Sequence, residues 1–328
     1  MRLQPAMLLM LGVSALISSR TAMAAQLTCS ASATLEDLTV CIRDQMPPRD
    51  SGRFVVPSST QVSAWRSVVR TMIRGTCSTV LPSSLSPFMR IRLLRDAANG
   101  RRYCVLMETG DQDEDGFVDR GTGTFIVDAA AERELSHTAP HPLSDMTTET
   151  EAVTLFKETR SRTLLLAGTH RDASLVVSNC QSSTMLSDVA HNVANMFHAT
   201  HLELAAHYGP RPWWVISWHG MAEDTCRAVD VLLSHGMDVP PVEGDRALEL
   251  RNNLLAYHPE WRVGLPGGGM CSLNGTTNVQ GRYLNGVPAS SVCGRPAARY
   301  SGRFVHIEQD PEFRDPDSWI AAVMDTWP

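Results

Sequence analysis

The sequence predicts an α/β protein with a three-layer, mostly parallel mixed sheet and a smaller N-terminal α+β subdomain. Three observations support this class. Short, almost wholly apolar runs occur in the second part of the chain, as expected of strands that are buried on both faces. These runs alternate with helical stretches, which is the order of a sheet with helices on both faces. The first part shows a helix followed by two strands, which is the order of an α+β unit.

The chain of 328 residues begins with the features of a secretory signal peptide. Arg2 precedes an apolar run from Ala6 to Ile17, and the small-x-small site Ala22–Ala24 follows. We therefore predict a signal peptide over 1–24 and a secreted or periplasmic protein. Because this run is shorter than the ~20 residues that cross a bilayer, we expect no membrane association after cleavage. An uncleaved membrane anchor is the alternative.

All eight cysteines lie after the predicted cleavage site. An even number of cysteines in an exported chain indicates disulfide bonds, and the absence of C-x-x-C spacing argues against a zinc ribbon. We expect cysteines that are neighbours in sequence to pair. The four expected bonds are Cys29–Cys41, Cys77–Cys104, Cys180–Cys226 and Cys271–Cys293.

The composition excludes two classes of protein. Hydrophobic residues make up 43% of the chain, which is enough for a core and argues against disorder. The net charge is -6 and no run of Lys or Arg occurs, which argues against binding to nucleic acid. We therefore expect a folded protein without a nucleic-acid partner.

Residues 25–130 are predicted to form the α+β subdomain. A helix is expected over Ser63–Arg74, where apolar residues recur at helical spacing. Tyr103–Glu108 and Thr124–Val127 are two expected strands. An acidic loop lies between these strands.

This acidic loop contains the pattern D-x-D-x-D-G-x-x-D. Calcium loops place carboxylates at this spacing around a glycine that permits a sharp turn. Thr122 stands where an EF-hand has its last glutamate, so the candidate is a calcium-bound hairpin with a structural role. The alternative is a solvated turn that is rich in Asp and Gly for turn geometry alone. The four candidate calcium ligands are Asp111, Asp113, Asp115 and Asp119.

Residues 131–328 are predicted to form the larger α/β domain. Its strands are expected from apolar runs and its helices from the stretches between them. The expected strands are Arg133–Leu135, Thr163–Ala167, Trp213–Trp218, Val229–Leu233 and Arg303–Ile307. The expected helices are Thr150–Lys157, Asp188–His207, Asp245–Tyr257 and Ser318–Asp325.

Polar residues follow the ends of several expected strands, where open α/β sheets bind ligands. Of the eleven histidines, eight fall between His137 and His219. Neutral imidazole and carboxylate suit zinc, which at catalytic sites keeps three protein ligands and one open position. His141 and His219, with Asp145 or Glu149 as the carboxylate, are therefore candidate zinc ligands. Taken singly, each histidine is alternatively a hydrogen-bonded loop residue.

Two further charged residues follow strands and suit catalysis. Glu308 ends the last expected strand and is the candidate general base. Arg171 follows another strand, and its planar guanidinium suits the binding of a substrate carboxylate. The combination predicts a metal-dependent hydrolase.

These motifs resemble the group of N-formylglutamate amidohydrolases and poly-γ-glutamate hydrolases. The resemblance covers about 124–309 and rests on PHPLSDMTTE, on THRDAS after a buried strand, on a strand running into HGM, and on a late strand ending in HIEQ. It implies a carboxypeptidase-like α/β fold and a zinc enzyme. In that group two histidines and a carboxylate hold zinc, and a glutamate on a late strand activates water.

The resemblance also implies roles for individual residues. His141 and His219 match the zinc histidines, Glu308 the catalytic glutamate and Arg171 a substrate-binding arginine. The patterns H-x-x-E and H-G-G-x-I-E are absent. The choice between Asp145 and Glu149 therefore stays open. His170 could replace either and is also a candidate catalytic residue. The implied reaction is cleavage of an amide bond near a carboxylate, in a small acyl-amino acid or peptide.

Two other functions stay open at this point. The first is a non-catalytic exported binding protein in which calcium stabilises the recognition surface and the histidines are structural. The second is a hydrolase of the same fold that cleaves another bond, such as an ester. Zinc stoichiometry separates the first of these from the enzyme, and a substrate screen separates the second.

Overall fold

A computed structural model describes residues 25–328 of the chain. The predicted signal peptide lies outside the described residues. Within 25–328 the helices are all too short or too polar to cross a membrane.

The described chain contains eleven strands and seven α-helices. In chain order the strands are β1 Ala25–Gln26, β2 Met89–Arg95, β3 Arg102–Glu108, β4 Gly110–Asp111, β5 Thr124–Asp128, β6 Arg133–Ala139, β7 Ser161–Leu166, β8 Trp214–Gly220, β9 Val231–Ser234, β10 Val263–Gly264 and β11 Phe304–Gln309. The helices are α1 Leu35–Asp44, α2 Ser59–Ile73, α3 Thr148–Glu158, α4 Met196–Tyr208, α5 Arg246–Tyr257, α6 Val279–Leu284 and α7 Asp317–Thr326.

Nine of these strands form one mixed sheet in the order β10-β9-β11-β8-β6-β7-β5-β3-β2. The pairings β10–β9, β11–β8, β8–β6 and β6–β7 are parallel, and the other four are antiparallel. The parallel strands are therefore concentrated in the second part of the chain. The predicted α/β class with a mixed sheet is confirmed.

Helices cover both faces of this sheet. Apolar residues of α1, α3, α5 and α7 pack in one core, which includes Leu38, Phe156 and Trp319. Those of α2, α4 and α6 pack in a second core, which includes Trp65 and Phe197. This gives three layers, because a sheet that buries both faces needs helices on each side.

The sheet extends across the predicted subdomain boundary at residue 130. Phe125 in β5 pairs with Leu165 in β7, so strands before and after this boundary belong to the same sheet. The division into 25–130 and 131–328 stays a prediction about how the chain is organised.

Parallel pairing brings three strand ends together. Strands β6, β8 and β11 run in the same direction, and Glu308 in β11 lies opposite His219 in β8. His141 follows β6 by two residues. Because these strands share a direction, their carboxyl ends meet at one edge of the sheet.

The long helix expected over Asp188–His207 is shorter in the structure. Helix α4 begins at Met196, where the Asn195 side chain accepts a hydrogen bond from the His198 amide. An asparagine in this position satisfies a free N–H group of the first turn and so fixes the start of a helix. Residues 188–195 therefore form a loop.

All eight cysteines form disulfides, but two of the four predicted pairings are wrong. Cys29–Cys41 and Cys77–Cys104 are as expected. The structure pairs Cys180 with Cys293 and Cys226 with Cys271 instead. Cys180 packs in a small apolar cluster with Val292, next to its partner, so tertiary packing rather than sequence distance decides the pairing.

Candidate metal centre

Three predicted ligands converge at the carboxyl ends of β6 and β8. His141 and Asp145 lie in the turn after β6, and His219 lies near the end of β8. One ligand atom of each lies within 4.8 Å of the others, and all three side chains are buried. Two imidazole nitrogens and one carboxylate are a ligand set that zinc accepts.

Both histidine rings have polar partners on each side. Nδ1 of His141 and Nδ1 of His219 lie 3.2 and 3.3 Å from Oδ2 of Asp145. The opposite nitrogens, Nε2, lie 3.0 Å from Oδ1 of Asp188 and 3.1 Å from the Ser217 hydroxyl. Metal-binding histidines commonly use the nitrogen that faces away from the metal in this way, which fixes the ring orientation.

Two buried carboxylates flank His141 and determine its protonation state. Burial lowers the pKa of His141, but the carboxylates of Asp188 and Asp145 outweigh that effect and raise the pKa to about 9. Burial raises the pKa values of these two carboxyl groups, but His141 outweighs it and holds both below their usual range. Burial lowers the pKa of His219 to about 4. Without a metal the two carboxylates therefore keep a proton on His141, and a metal ion bound there would replace that proton.

A cavity of about 350 Å³ opens beside this cluster. Its wall includes Glu308, Arg171 and His306. Oε1 of Glu308 lies 3.2 Å from Nε2 of His306. Arg171 donates to Oδ2 of Asp188 at 3.2 Å and is 3.9 Å from Oδ1 of Asp145. The carboxylate of Glu308 and the guanidinium of Arg171 thus line the same cavity as the cluster of His141, Asp145 and His219.

Two residues that the sequence singled out lie outside this cavity lining. Glu149 is buried in α3, where its Oε1 accepts a hydrogen bond from Arg43 at 3.1 Å. His170 contacts the Ser144 hydroxyl at 3.1 Å and accepts a hydrogen bond from the Asp172 amide. The geometry therefore favours Asp145 over Glu149 as the carboxylate of the cluster.

Asp188 and His306 are among the site residues that the sequence does not predict. The apolar spacing predicts a helix over Asp188, so it gives no reason to expect the contact with His141. The Asn195 cap is the signal that places Asp188 in a loop. His306 was treated as part of a buried strand, although its position two residues before Glu308 places both side chains on one face of β11.

The acidic loop brings three of its four predicted ligands together. Oxygens of Asp111, Asp113 and Asp115 lie within 4.8 Å of one another. The Arg53 guanidinium pairs with Asp113 at 2.5 Å and with Asp115 at 2.7 Å. The fourth, Asp119, accepts a hydrogen bond from the Gln112 amide. Calcium binding by this loop stays a prediction, and a bound ion would compete with Arg53 for two of the carboxylates.

A larger cavity of about 590 Å³ lies at the opposite ends of the strands. Its wall includes Glu134, Arg162 and Trp214, near the starts of β6, β7 and β8. Neither of the two ligand clusters found among residues 25–328 lies there. The smaller cavity is therefore the better candidate for chemistry.

No protein-family model matches the chain, and no curated protein matches it. Several solved structures align with it. A bacteriophage poly-γ-glutamate hydrolase is 14% identical, with 57% of this chain and 72% of that chain covered, at a TM-score of 0.31. A metallo-carboxypeptidase from Burkholderia cenocepacia is 11% identical, with 84% and 69% covered, at 0.31. An aspartoacylase family protein from Mesorhizobium loti is 10% identical, with 73% and 69% covered, at 0.34.

The first of these three carries the name of one of the two enzymes that the sequence motifs resemble. With TM-scores below 0.5, the neighbours assign no activity, metal or substrate to this chain. The activity, metal and substrate that we propose below are inferred from the residues of the site.

Proposed function

We propose that this protein is an exported zinc-dependent hydrolase that cleaves an amide bond near a carboxylate. The observation that supports this most is the convergence of His141, Asp145 and His219 in a buried cluster. That cluster opens into a cavity that also contains Glu308 and Arg171. Ligand set, base and substrate anchor are thereby available in one place.

The donor set fits zinc. His141, Asp145 and His219 would hold the ion, and Asp188 and Ser217 would orient the two rings from behind. Bound there, zinc would supply a Lewis acid for the scissile carbonyl and for the attacking water.

Glu308 is the residue that we expect to move the proton. It lines the cavity and lies opposite His219 in the register of β8 and β11. Its carboxylate accepts the proton of the attacking water and then passes a proton to the nitrogen of the leaving amine. The contact with His306 restrains the carboxylate during these two transfers.

Arg171 would bind the carboxylate of the substrate. Its side chain is one-third exposed, and one of its terminal nitrogens already contacts Asp188. A guanidinium has five donors in a planar fork, so donors remain for a second carboxylate. A cavity of about 350 Å³ suits an acyl-amino acid or a short peptide.

The disulfides support an oxidising compartment. Four disulfides use all eight cysteines of the chain. Such bonds persist in secreted and periplasmic proteins and are rare in the cytosol. With the predicted signal peptide, they are the basis for proposing export.

Elemental analysis of protein purified from an oxidising compartment without chelator tests the metal. We expect about one zinc per chain. His219→Ala should lose this zinc, because one of three ligands is removed. His170→Ala is the matched control: it removes a nearby histidine outside the cavity lining and should retain the metal.

Two results would contradict the proposal. The first is a wild-type protein that takes up no zinc even when zinc is added back. The second is equal loss of zinc in His219→Ala and His170→Ala. If zinc binds as expected, acyl-amino acids and γ-glutamyl peptides are the substrates to screen first.

A further inference from the structure

Arg314 is a buried arginine that lies behind the candidate metal centre. It follows a short 3-10 turn, Pro311–Phe313, and precedes α7. Its residue surface is 8% exposed, and it is not part of the cavity lining. A buried guanidinium is costly to desolvate, so its contacts deserve a functional explanation.

Among the described residues, every hydrogen bond of Arg314 goes to a backbone carbonyl. Nη1 donates to the Met146 carbonyl at 2.7 Å, and Nη2 donates to the Met221 carbonyl at 2.9 Å. Nη2 and Nε also donate to the Gln309 carbonyl at 3.1 and 3.3 Å. One side chain therefore contacts three separate backbone segments.

Each of these segments carries a residue of the candidate site. Met146 follows Asp145, and Gln309 follows Glu308. Met221 comes two residues after His219. The guanidinium thus links the backbones that carry two metal ligands and the general base.

Gly220 shows how closely the guanidinium packs against these backbones. A Cβ atom built on Gly220 would lie 2.3 Å from Nη2 and 2.4 Å from Cζ of Arg314. Such a contact forces the guanidinium to move. Gly220 does not adopt a left-handed φ, so it is space rather than conformation that requires glycine here.

We propose that Arg314 is a positioning residue of the metal centre. It holds the segments of Asp145, His219 and Glu308 at the mutual spacing that metal binding and proton transfer need. A lysine cannot replace it, because an ammonium is a single point of donors and cannot reach three carbonyls in different directions. This inference rests on the proposed function.

Two variants and one matched control test it. Arg314→Lys removes the planar guanidinium. Gly220→Ala leaves the arginine in the sequence but pushes its guanidinium out of position. Arg133→Lys is the control, because Arg133 also donates to two carbonyls, those of Thr159 and Trp327, but at the other end of the sheet. The readouts are the zinc dissociation constant and amide hydrogen exchange of the zinc-free protein.

We expect both test variants to bind zinc about 10- to 100-fold more weakly. This is the usual loss of affinity when residues that orient metal ligands are replaced. Amides in residues 145–148, 219–222 and 308–310 should exchange faster in both. Arg133→Lys should change neither readout. Should Arg314→Lys fail to fold, Gly220→Ala carries the test alone.

The outcomes separate this inference from the proposed function. If the wild type binds zinc and both test variants bind it with the same affinity, the role of Arg314 is overturned and the proposed function stays intact. A wild type that binds no zinc overturns the proposed function, and the exchange data still decide the role of Arg314. Whether or not zinc binds, the role of Arg314 is overturned if the test variants leave amide exchange in the three segments unchanged. It is also overturned if Arg133→Lys changes that exchange equally.

Discussion

Two regions of this protein each bring three potential metal ligands within 4.8 Å of one another, yet their surroundings differ. At the carboxyl ends of β6 and β8 the cluster is buried, mixes nitrogen and oxygen donors, and has each ring fixed from behind. In the acidic loop Asp113 and Asp115 are exposed, and Arg53 contacts both. Proximity of ligands is therefore not sufficient. The two clusters differ in burial, in donor chemistry and in the supports behind their ligands, whereas both have an arginine close to their carboxylates: Arg171 lies 3.9 Å from Asp145, and Arg53 contacts Asp113 and Asp115.

The largest effect should come from the base of the buried cluster. Glu308→Gln should lower turnover by about 10²- to 10⁴-fold, because proton transfer by a positioned carboxylate contributes about that factor. Zinc content and thermal stability should be unchanged, since Glu308 is not in the ligand cluster. Steady-state kinetics on an active substrate check this. Turnover at the wild-type rate would remove Glu308 from the mechanism.

The support behind His141 should have the next largest effect. Asp188→Asn keeps the shape of the side chain but removes the charge that orients the ring, so zinc should bind about 10- to 100-fold more weakly. A competition titration with a chelator measures this. Glu149→Gln is the matched control, because Glu149 pairs with Arg43 outside the cavity lining and should leave zinc affinity unchanged. A loss of zinc affinity in Glu149→Gln but not in Asp188→Asn would contradict the supporting role of Asp188.

A buried histidine away from the metal cluster should make stability depend on pH. Burial lowers the pKa of His137 to about 3. Its Nδ1 accepts a hydrogen bond from the Trp218 indole, so a protonated ring would place two N–H groups against each other. Because the folded pKa lies below the unfolded value of about 6.5, the folded state binds fewer protons, and stability is lost as pH falls from about 6.5 towards 3.

The expected loss from His137 is at most ~1.4 kcal/mol per pH unit within this window. Urea unfolding at pH 6, 5 and 4 measures it. In His137→Gln the free energy of unfolding should fall less steeply with pH than in the wild type. Identical slopes would show that His137 does not titrate on unfolding in this range.

The smallest effect is expected in the acidic loop. Because Arg53 already contacts Asp113 and Asp115, millimolar calcium should shift the melting temperature of the wild-type protein by less than about 1 °C. A thermal-shift titration with magnesium as the control measures this. A larger rise in melting temperature with calcium but not with magnesium would show that calcium displaces Arg53. The acidic loop would then be a metal site, as we propose for the buried cluster.

Much of the fold and part of the site follow from local patterns. The apolar runs that predict β7 and β8 are strands in the structure, and Glu308, expected just after the last strand, lies near its carboxyl end. His141 and His219 are placed at adjacent strand ends by a rule that applies to parallel sheets generally. The contact of Asp188 with His141 could not be predicted, because it depends on a loop over residues 188–195, where the apolar spacing predicts a helix.

Local patterns are enough to predict the α/β class, the presence of disulfides and the strand ends that carry His141, His219 and Glu308. Apolar periodicity, cysteine number and polar residues after strands can all be found without knowing the fold. Only the tertiary structure decided which cysteines pair, that Asp145 rather than Glu149 faces the histidines, and that Arg314 contacts all three segments. These contacts join residues far apart in the chain, and their distances are set by how strands and loops pack.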